Sequence, residues 1–247
     1  MLDALKNHPF GVTAHLKRTV VLAFAVPRSE LQKLLPPYLD LDVFQEEHGF
    51  LAVAMVETRR LRPMGFPEWA GLDFFLLGYR VFVRHVNVQG KRLRGLYILG
   101  SETDKRLMAR LGNVFTHYGY AHKPIDRTYD THRLSLRSKD GSMHVSITDN
   151  PDIEEALPVG SPFADWKEAR RYVGPLPFTF SYDAKRRRML TVEGSRVNWT
   201  PRPVQVERWH FSFLDRFGFS DLRLANAFTM NDVPYQWKRG TLEPMPT

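Results

Sequence analysis

The dipeptide Asp140-Gly141 sits at the centre of Arg133–Thr148, a stretch whose apolar residues alternate on both sides of it. Asp-Gly tolerates the positive φ of a tight turn and is a strong signal for a two-residue type I′ hairpin. Such a turn places Leu136 opposite Val145 and Leu134 opposite Ile147. The same register gathers Arg133, Ser135, Arg137, His144, Ser146 and Thr148 on the other face. One face is apolar throughout and the other polar, so this segment folds as an antiparallel pair with one dry side.

Strand patterns recur along the chain. Val12 to Val26 reads as a long strand with Val12, Ala14, Leu16, Val20, Leu22 and Phe24 on one face. Phe50 to Glu57 is apolar on both faces, as a strand buried on both sides must be. Phe75 to Val88 and Gly95 to Leu99 continue the sheet, and Phe178–Tyr182 pairs with Met189–Val192. Helices are few. Ser29 caps a short one through Leu35, which Pro36-Pro37 end. Ser101-Glu102-Thr103-Asp104 resembles a capping box ahead of Leu107, Leu111 and Val114. Ser161-Pro162 leads into a helix over Asp165–Tyr172, and Phe211 to Phe217 forms another, ended by Gly218. No repeat or linker divides residues 1–247. The pattern predicts one α+β, strand-rich domain, an antiparallel barrel or sandwich with peripheral helices.

Composition narrows the chemistry. The 247 residues contain no cysteine, so disulfides, thiolate metal sites and cysteine nucleophiles are excluded. No run of apolar residues is long enough for a transmembrane helix. Met1 to His8 lacks the charged and apolar regions of a secretory signal, so a cytoplasmic protein is expected. The net charge of +8 favours anionic partners. The densest basic run, Lys185-Arg186-Arg187-Arg188, reads as a solvated hairpin tip, and nucleic-acid binding through it is the weaker reading. Oligomeric state is not legible.

Several polar residues sit where apolar ones are expected. Arg18 lies between Leu16 and Val20, and Arg80 shares a face with Leu76, Gly78, Phe82 and Arg84. A buried guanidinium needs a partner, and Glu57 is the nearest carboxylate in the pattern. The group is either an anion-binding cluster inside a barrel, or else a buried ion pair or arginines that snorkel to the rim. His117-Tyr118-Gly119-Tyr120-Ala121-His122-Lys123 gathers groups suited to acid–base work or to binding a polar ligand. His144 lies opposite Arg137 and not His132, and no His-Glu-x-x-His pattern occurs, so no metal site is expected. No phosphate loop, nucleophile elbow or dinucleotide fingerprint is present, and no cofactor is expected. Met64–Gly71, rich in glycine and aromatics, is either a lid over a pocket mouth or a packed surface loop.

A series of short stretches, taken in order, resembles the YqjF-like family of the acetoacetate decarboxylase-like superfamily. They are Val21–Pro37, Leu39-Asp40-Leu41-Asp42, Phe50–Glu57, Gly78–Val83, Gly95–Leu99, Tyr118-Gly119-Tyr120, Gly160-Ser161 and Arg171-Tyr172. The resemblance implies an antiparallel β-barrel of the acetoacetate decarboxylase-like type with a pocket inside it. It also implies that the lysine pair of the decarboxylases, whose amine forms a Schiff base, falls here on Tyr120 and Ala121. The family's helix arginine falls on Asn113 and an acidic strand position on Leu76, while a basic residue persists near Lys17 or Arg18. The expected site is therefore Tyr120 as hydrogen-bond or proton donor, with Arg80, Arg18, Glu57, His117 and His122 around a small anionic or carbonyl-bearing ligand. The alternative is a decarboxylase or lyase acting through Lys123.

Overall fold

The computed structural model describes residues 5–150, 157–197 and 199–246. Residues 1–4, on which part of the expectation of no secretory signal rests, lie outside that set. The central strands are β1 (Val12–Pro27), β3 (His48–Pro63) and β4 (Leu72–Val86), with the short β2 (Asp40–Leu41) paired to β4. β5 (Arg92–Thr103) follows on the far side of β4. A helix over Arg106–Phe115 then leads to β6 (Tyr120–His122), which runs parallel to β5.

β7 (Ile125–Asp130), β8 (Arg133–Ser138) and β9 (Met143–Thr148) form a meander, joined later by β13 (Gln205–Phe211) into a separate four-stranded sheet. A helix over Trp166–Val173 precedes β10 (Phe178–Asp183) and β11 (Arg188–Arg196). The remaining strands are β12 (Arg202–Pro203), β14 (Arg223–Trp237) and β15 (Thr241–Pro244). The large sheet runs β12-β14-β1-β3-β4-β5-β10-β11-β15, and β11 also pairs with β14 through Gly194↔Trp237 and Arg196↔Tyr235. The sheet is mixed and not purely antiparallel, because β6 and β10 both run parallel to β5. Both strands reach β5 after a helix or a long connection, the kind of crossover that parallel pairing requires.

The two faces of the central strands carry two cores. On one, Leu22, Phe24, Val53, Met55 and Leu77 pack against the small sheet through Leu134, Leu136, Val145 and Ile147. On the other, Ala23, Phe50, Ala52, Val56 and Phe82 pack with Phe163, Trp166 and Val173. The 133–148 hairpin has the expected register, Leu136↔Val145 and Leu134↔Ile147. Its turn is not type I′, since positive φ falls on Gly141 (74°) and not on Asp140. The Gly141 N–H donates to the Ser138 carbonyl instead.

The faces of β1 differ from the alternation in the sequence. Leu16 pairs with Thr58 but Arg18 pairs with Glu57, so a bulge falls at Lys17. Beyond it the faces exchange: Leu16, Val21, Ala23 and Ala25 join one core, and Val20, Leu22 and Phe24 the other. The helix starts shift too. Ser101–Thr103 is strand rather than capping box, and the following helix starts at Arg106. Ser29 does not cap the first helix, which begins at Arg28 and becomes 3₁₀ at Gln32. Asp165, not Ser161, caps the 166–173 helix by accepting from the Glu168 N–H, while Ser161 Oγ donates to the Ala225 carbonyl. Phe211 ends a strand, and the helix after it spans only Ser212–Asp215. Among the described residues no helix is long and apolar enough to cross a membrane.

Candidate active or binding site

A cavity of about 300 Å³ lies on the face of the central strands that carries Ala52, Ala54 and Val56. Thr19 and Val21 from β1, Leu76 and Phe82 from β4, and Leu96 and Ile98 from β5 line it. Met108, Leu111 and Phe115 of the 106–115 helix and Phe228 and Met230 of β14 complete an almost wholly apolar wall.

Arg80 stands in this wall. It pairs with Ala52 on β3, and a register irregularity between Tyr79 and Arg80 sets it opposite Ile98 on β5. The residue is half-buried and its side chain lines the cavity. Its Nε is buried without a hydrogen-bond partner, and no described carboxylate lies within ion-pair distance. Burial disfavours its charged form and pulls its pKa down.

Three tyrosines, Tyr118, Tyr120 and Tyr235, line the same cavity, and each couples electrostatically to Arg80. Burial pushes the phenol of Tyr120 up to about 12, with the Arg80 charge opposing the rise. Burial raises Tyr118 further. Tyr118 and Tyr120 are therefore neutral donors near pH 7. Tyr120 is fixed through its backbone: its N–H donates to Asn113 Oδ1 and its carbonyl accepts from Asn113 Nδ2, both at 2.8 Å. His8 is a further wall residue, 5.3 Å from the Tyr118 ring between centroids, with its Nε2 buried and unpartnered. Desolvation, helped by the nearby His117, lowers its pKa to about 4. Thr19 adds an unpartnered buried hydroxyl. The cavity thus offers the unpartnered guanidinium of Arg80, hydroxyl donors and a neutral imidazole. It lacks an amine, and among the described residues no group of acidic or histidine side chains could hold a metal ion.

Residues 13–235 match the sequence pattern of DUF2071, described as an uncharacterized conserved protein. The chain belongs to that family. No curated protein matches it. Among solved structures, this DUF2071 chain is similar to the acetoacetate decarboxylase of Legionella pneumophila, with a TM-score of 0.60 and 11% identity over 94% of this chain and 86% of that one. It is similar to the enduracididine biosynthesis enzyme MppR complexed with pyruvate, with a TM-score of 0.59 and 11% identity over 95% and 90% of the two chains. An acetoacetate decarboxylase-like enzyme from Sphingomonas wittichii RW1 gives 0.57 and 12% over 94% and 91%. At these identities the likeness concerns the fold.

Of the residues singled out in the sequence, the DUF2071 fold brings Arg80 and Tyr120 together and leaves the others elsewhere. The bulge at Lys17 turns Arg18 away from the cavity, so its guanidinium lies 4.9 Å from the Tyr129 ring centroid. Glu57 is on that same face, turned toward the small sheet, bonded to Arg59 at 2.7 Å and to the Tyr129 hydroxyl at 3.2 Å. Glu57 and Arg80 do not meet, because successive strand residues alternate faces and Arg80 shares that of Ala52. His117 is exposed, with Nε2 3.2 Å from Asn7 Oδ1, and His122 does not line the cavity.

Lys123 Nζ pairs with Glu102 at 2.7 Å and contacts Ser142 Oγ at 2.5 Å. Glu102 also accepts from the Tyr79 hydroxyl, so this cluster faces away from Arg80, on the other side of the sheet. Tyr118, Tyr235 and His8 were not singled out as individual site residues by sequence reasoning, although Tyr118 lies in the noted loop. Tyr235 follows Val233 with strand periodicity, which is the one signal that marks it. The 64–71 loop projects Phe66 and Trp69 into solvent beside the wall residues Arg62 and Pro63. In the basic run, Arg186 and Arg188 bond Asp183, and Arg187 bonds Tyr38 and the Pro246 carbonyl.

Proposed function

We propose that this protein binds a small anionic or carbonyl-bearing molecule in the cavity, with Arg80 as the anchor for its negative charge. Chemistry at this site proceeds without a Schiff base. The observation that carries the reading is the buried guanidinium without a carboxylate partner. An unpaired buried charge is costly, and a site that retains one gains most from a ligand that neutralises it. Tyr118, Tyr120 and Tyr235 supply hydroxyl donors to the ligand's remaining oxygens, and Tyr120 stands where the decarboxylases present an amine. The pairing of β11 with β14 supports a barrel-like enclosure around the cavity, in keeping with the YqjF-like resemblance. The pyruvate complex of MppR is one instance of a small keto acid held by a protein of similar fold.

The test is thermal unfolding of the wild-type protein and Arg80→Met against small carboxylates, keto acids, phosphates and aldehydes. A ligand at about 100 times its dissociation constant adds roughly 2.7 kcal/mol. In a domain of this size that raises the midpoint by about 5–10 °C. A shift in the wild type that disappears in Arg80→Met supports the reading. Equal shifts in both proteins remove Arg80 from the site.

A further inference from the structure

The anchor reading leaves the rest of the ligand open, and the cavity wall addresses it. Apart from Arg80, much of the lining is aromatic and aliphatic, with Phe74 and Phe82 from one strand and Phe10, Leu96, Phe115 and Phe228 from four other segments. Two other arginines reach the wall, and both already have protein partners. Arg62 donates to the Phe66 and Arg60 carbonyls and pairs with Glu68. Arg196 donates to the Pro175 carbonyl at 2.6 Å and lies 4.8 Å from the Trp199 ring centroid. Among the described arginines of the wall, only Arg80 meets the cavity with neither a carboxylate nor a carbonyl bound to it.

We propose that the ligand is an amphipathic monoanion, with one carboxylate-like group on Arg80 and an apolar body filling the remaining chamber. This deepens the anchor reading and rests on it. At roughly 30 Å³ per water-sized group, about 300 Å³ holds on the order of ten non-hydrogen atoms, the size of octanoate. A second charge away from Arg80 would meet apolar side chains, or Arg62 and Arg196 already engaged by protein groups, which disfavours dicarboxylates and sugar phosphates. The Tyr118, Tyr120 and Tyr235 hydroxyls serve the oxygens of the single head group.

Calorimetric titration with straight-chain monocarboxylates from acetate to decanoate, with suberate and octanol beside them, tests this. Affinity is expected to rise about fourfold per methylene, the equivalent of ~0.8 kcal/mol per buried CH₂, and to level off near octanoate. Suberate is expected to bind ~100-fold more weakly than octanoate, because it buries a second carboxylate. Arg80→Met is expected to lose the preference for octanoate over octanol. Val56→Phe, which narrows the chamber away from Arg80, is expected to move the optimum to a shorter acid. Its retained fold is checked by circular dichroism.

Equal affinity for acetate and octanoate, or suberate binding as tightly as octanoate, overturns the apolar-body inference. It leaves the anchor standing if Arg80→Met still abolishes acetate binding. Octanoate binding that is unchanged in Arg80→Met overturns both.

Discussion

The guanidinium of Arg80 folds back along its own strand over Gly78, where a Cβ would lie 2.8 Å from Nε and 3.1 Å from Nη2. The same relationship recurs around the cavity. A Cβ on Gly112 would lie 2.3 Å from Cδ2 of Tyr120, and one on Gly194 would lie 2.3 Å from the Tyr235 hydroxyl. Each of three polar wall residues thus occupies space that a side chain at a nearby glycine would claim. Rotamer choice at such sites is set by the missing Cβ, and positioning of this kind matters more for binding than for stability.

Gly78→Ala is expected to displace Arg80 and weaken carboxylate binding by at least about tenfold, the effect of roughly 1.4 kcal/mol. Gly112→Ala is expected to displace the Tyr120 ring and cost more stability, since the clash falls on a rigid ring in a packed core. The two variants, compared by calorimetry and urea unfolding, separate the anchor from the donor. A Gly78→Ala protein that binds carboxylates as the wild type does would mean that Arg80's position is not what the ligand reads.

Arg80→Met is expected to stabilise the ligand-free protein. Methionine brings flexible apolar atoms to the site and removes the cost of burying a charge that has no partner. Urea unfolding without ligand measures it. A variant less stable than the wild type would mean that Arg80 has a structural partner, and the argument for an anion would fail with it.

The parts legible from sequence are those where period and turn agree. The 133–148 hairpin could be registered because a one-residue shift of its apolar set would bury polar ones, and Asp140-Gly141 left a single place to turn. Arg80 was legible because Leu76, Gly78 and Phe82 flank it at strand spacing. The bulge at Lys17 was not legible, because an inserted residue leaves no mark in composition and reverses every face beyond it. That one residue separates Arg18 from Arg80 and sends it to Tyr129. Ser101–Thr103 reads like a cap because hydroxyl and acid alternate there, yet β4 pairs with all three residues and holds them extended. His8 precedes the first strand, where no pattern marks which side chain turns inward.

Lys123 provides a test of the Schiff-base alternative. Borohydride in the presence of acetoacetate or pyruvate is expected to give no adduct at Lys123, because Glu102 and Ser142 hold its amine outside the cavity. Lys123→Met is expected to leave carboxylate affinity unchanged and to lower stability by about 3–5 kcal/mol, since it strands the buried Glu102. Adding Glu102→Gln is expected to restore part of that loss. A trapped adduct, found by mass spectrometry, would return the lysine to the chemistry.

His8 sets an acid limit on the fold. Its imidazole has a pKa of about 4 in the folded protein and 6.5 as its ordinary value, with burial the main cause. The unfolded chain therefore binds the proton more readily, and stability rises with pH between those two values. Read downwards, the contribution is fully present above about pH 6.5 and is lost as pH falls towards 4. A displacement of that size corresponds to about 3 kcal/mol, at roughly 1.4 kcal/mol for each tenfold change. His8→Asn keeps a polar side chain, suits the left-handed backbone at this position (φ 49°) and cannot titrate. Urea unfolding at pH 7, 6, 5 and 4.5 should show a shallower decline for the variant than for the wild type. Parallel curves would mean that the imidazole takes up its proton in the folded protein as easily as in water, and hence that His8 is not enclosed beside Tyr118.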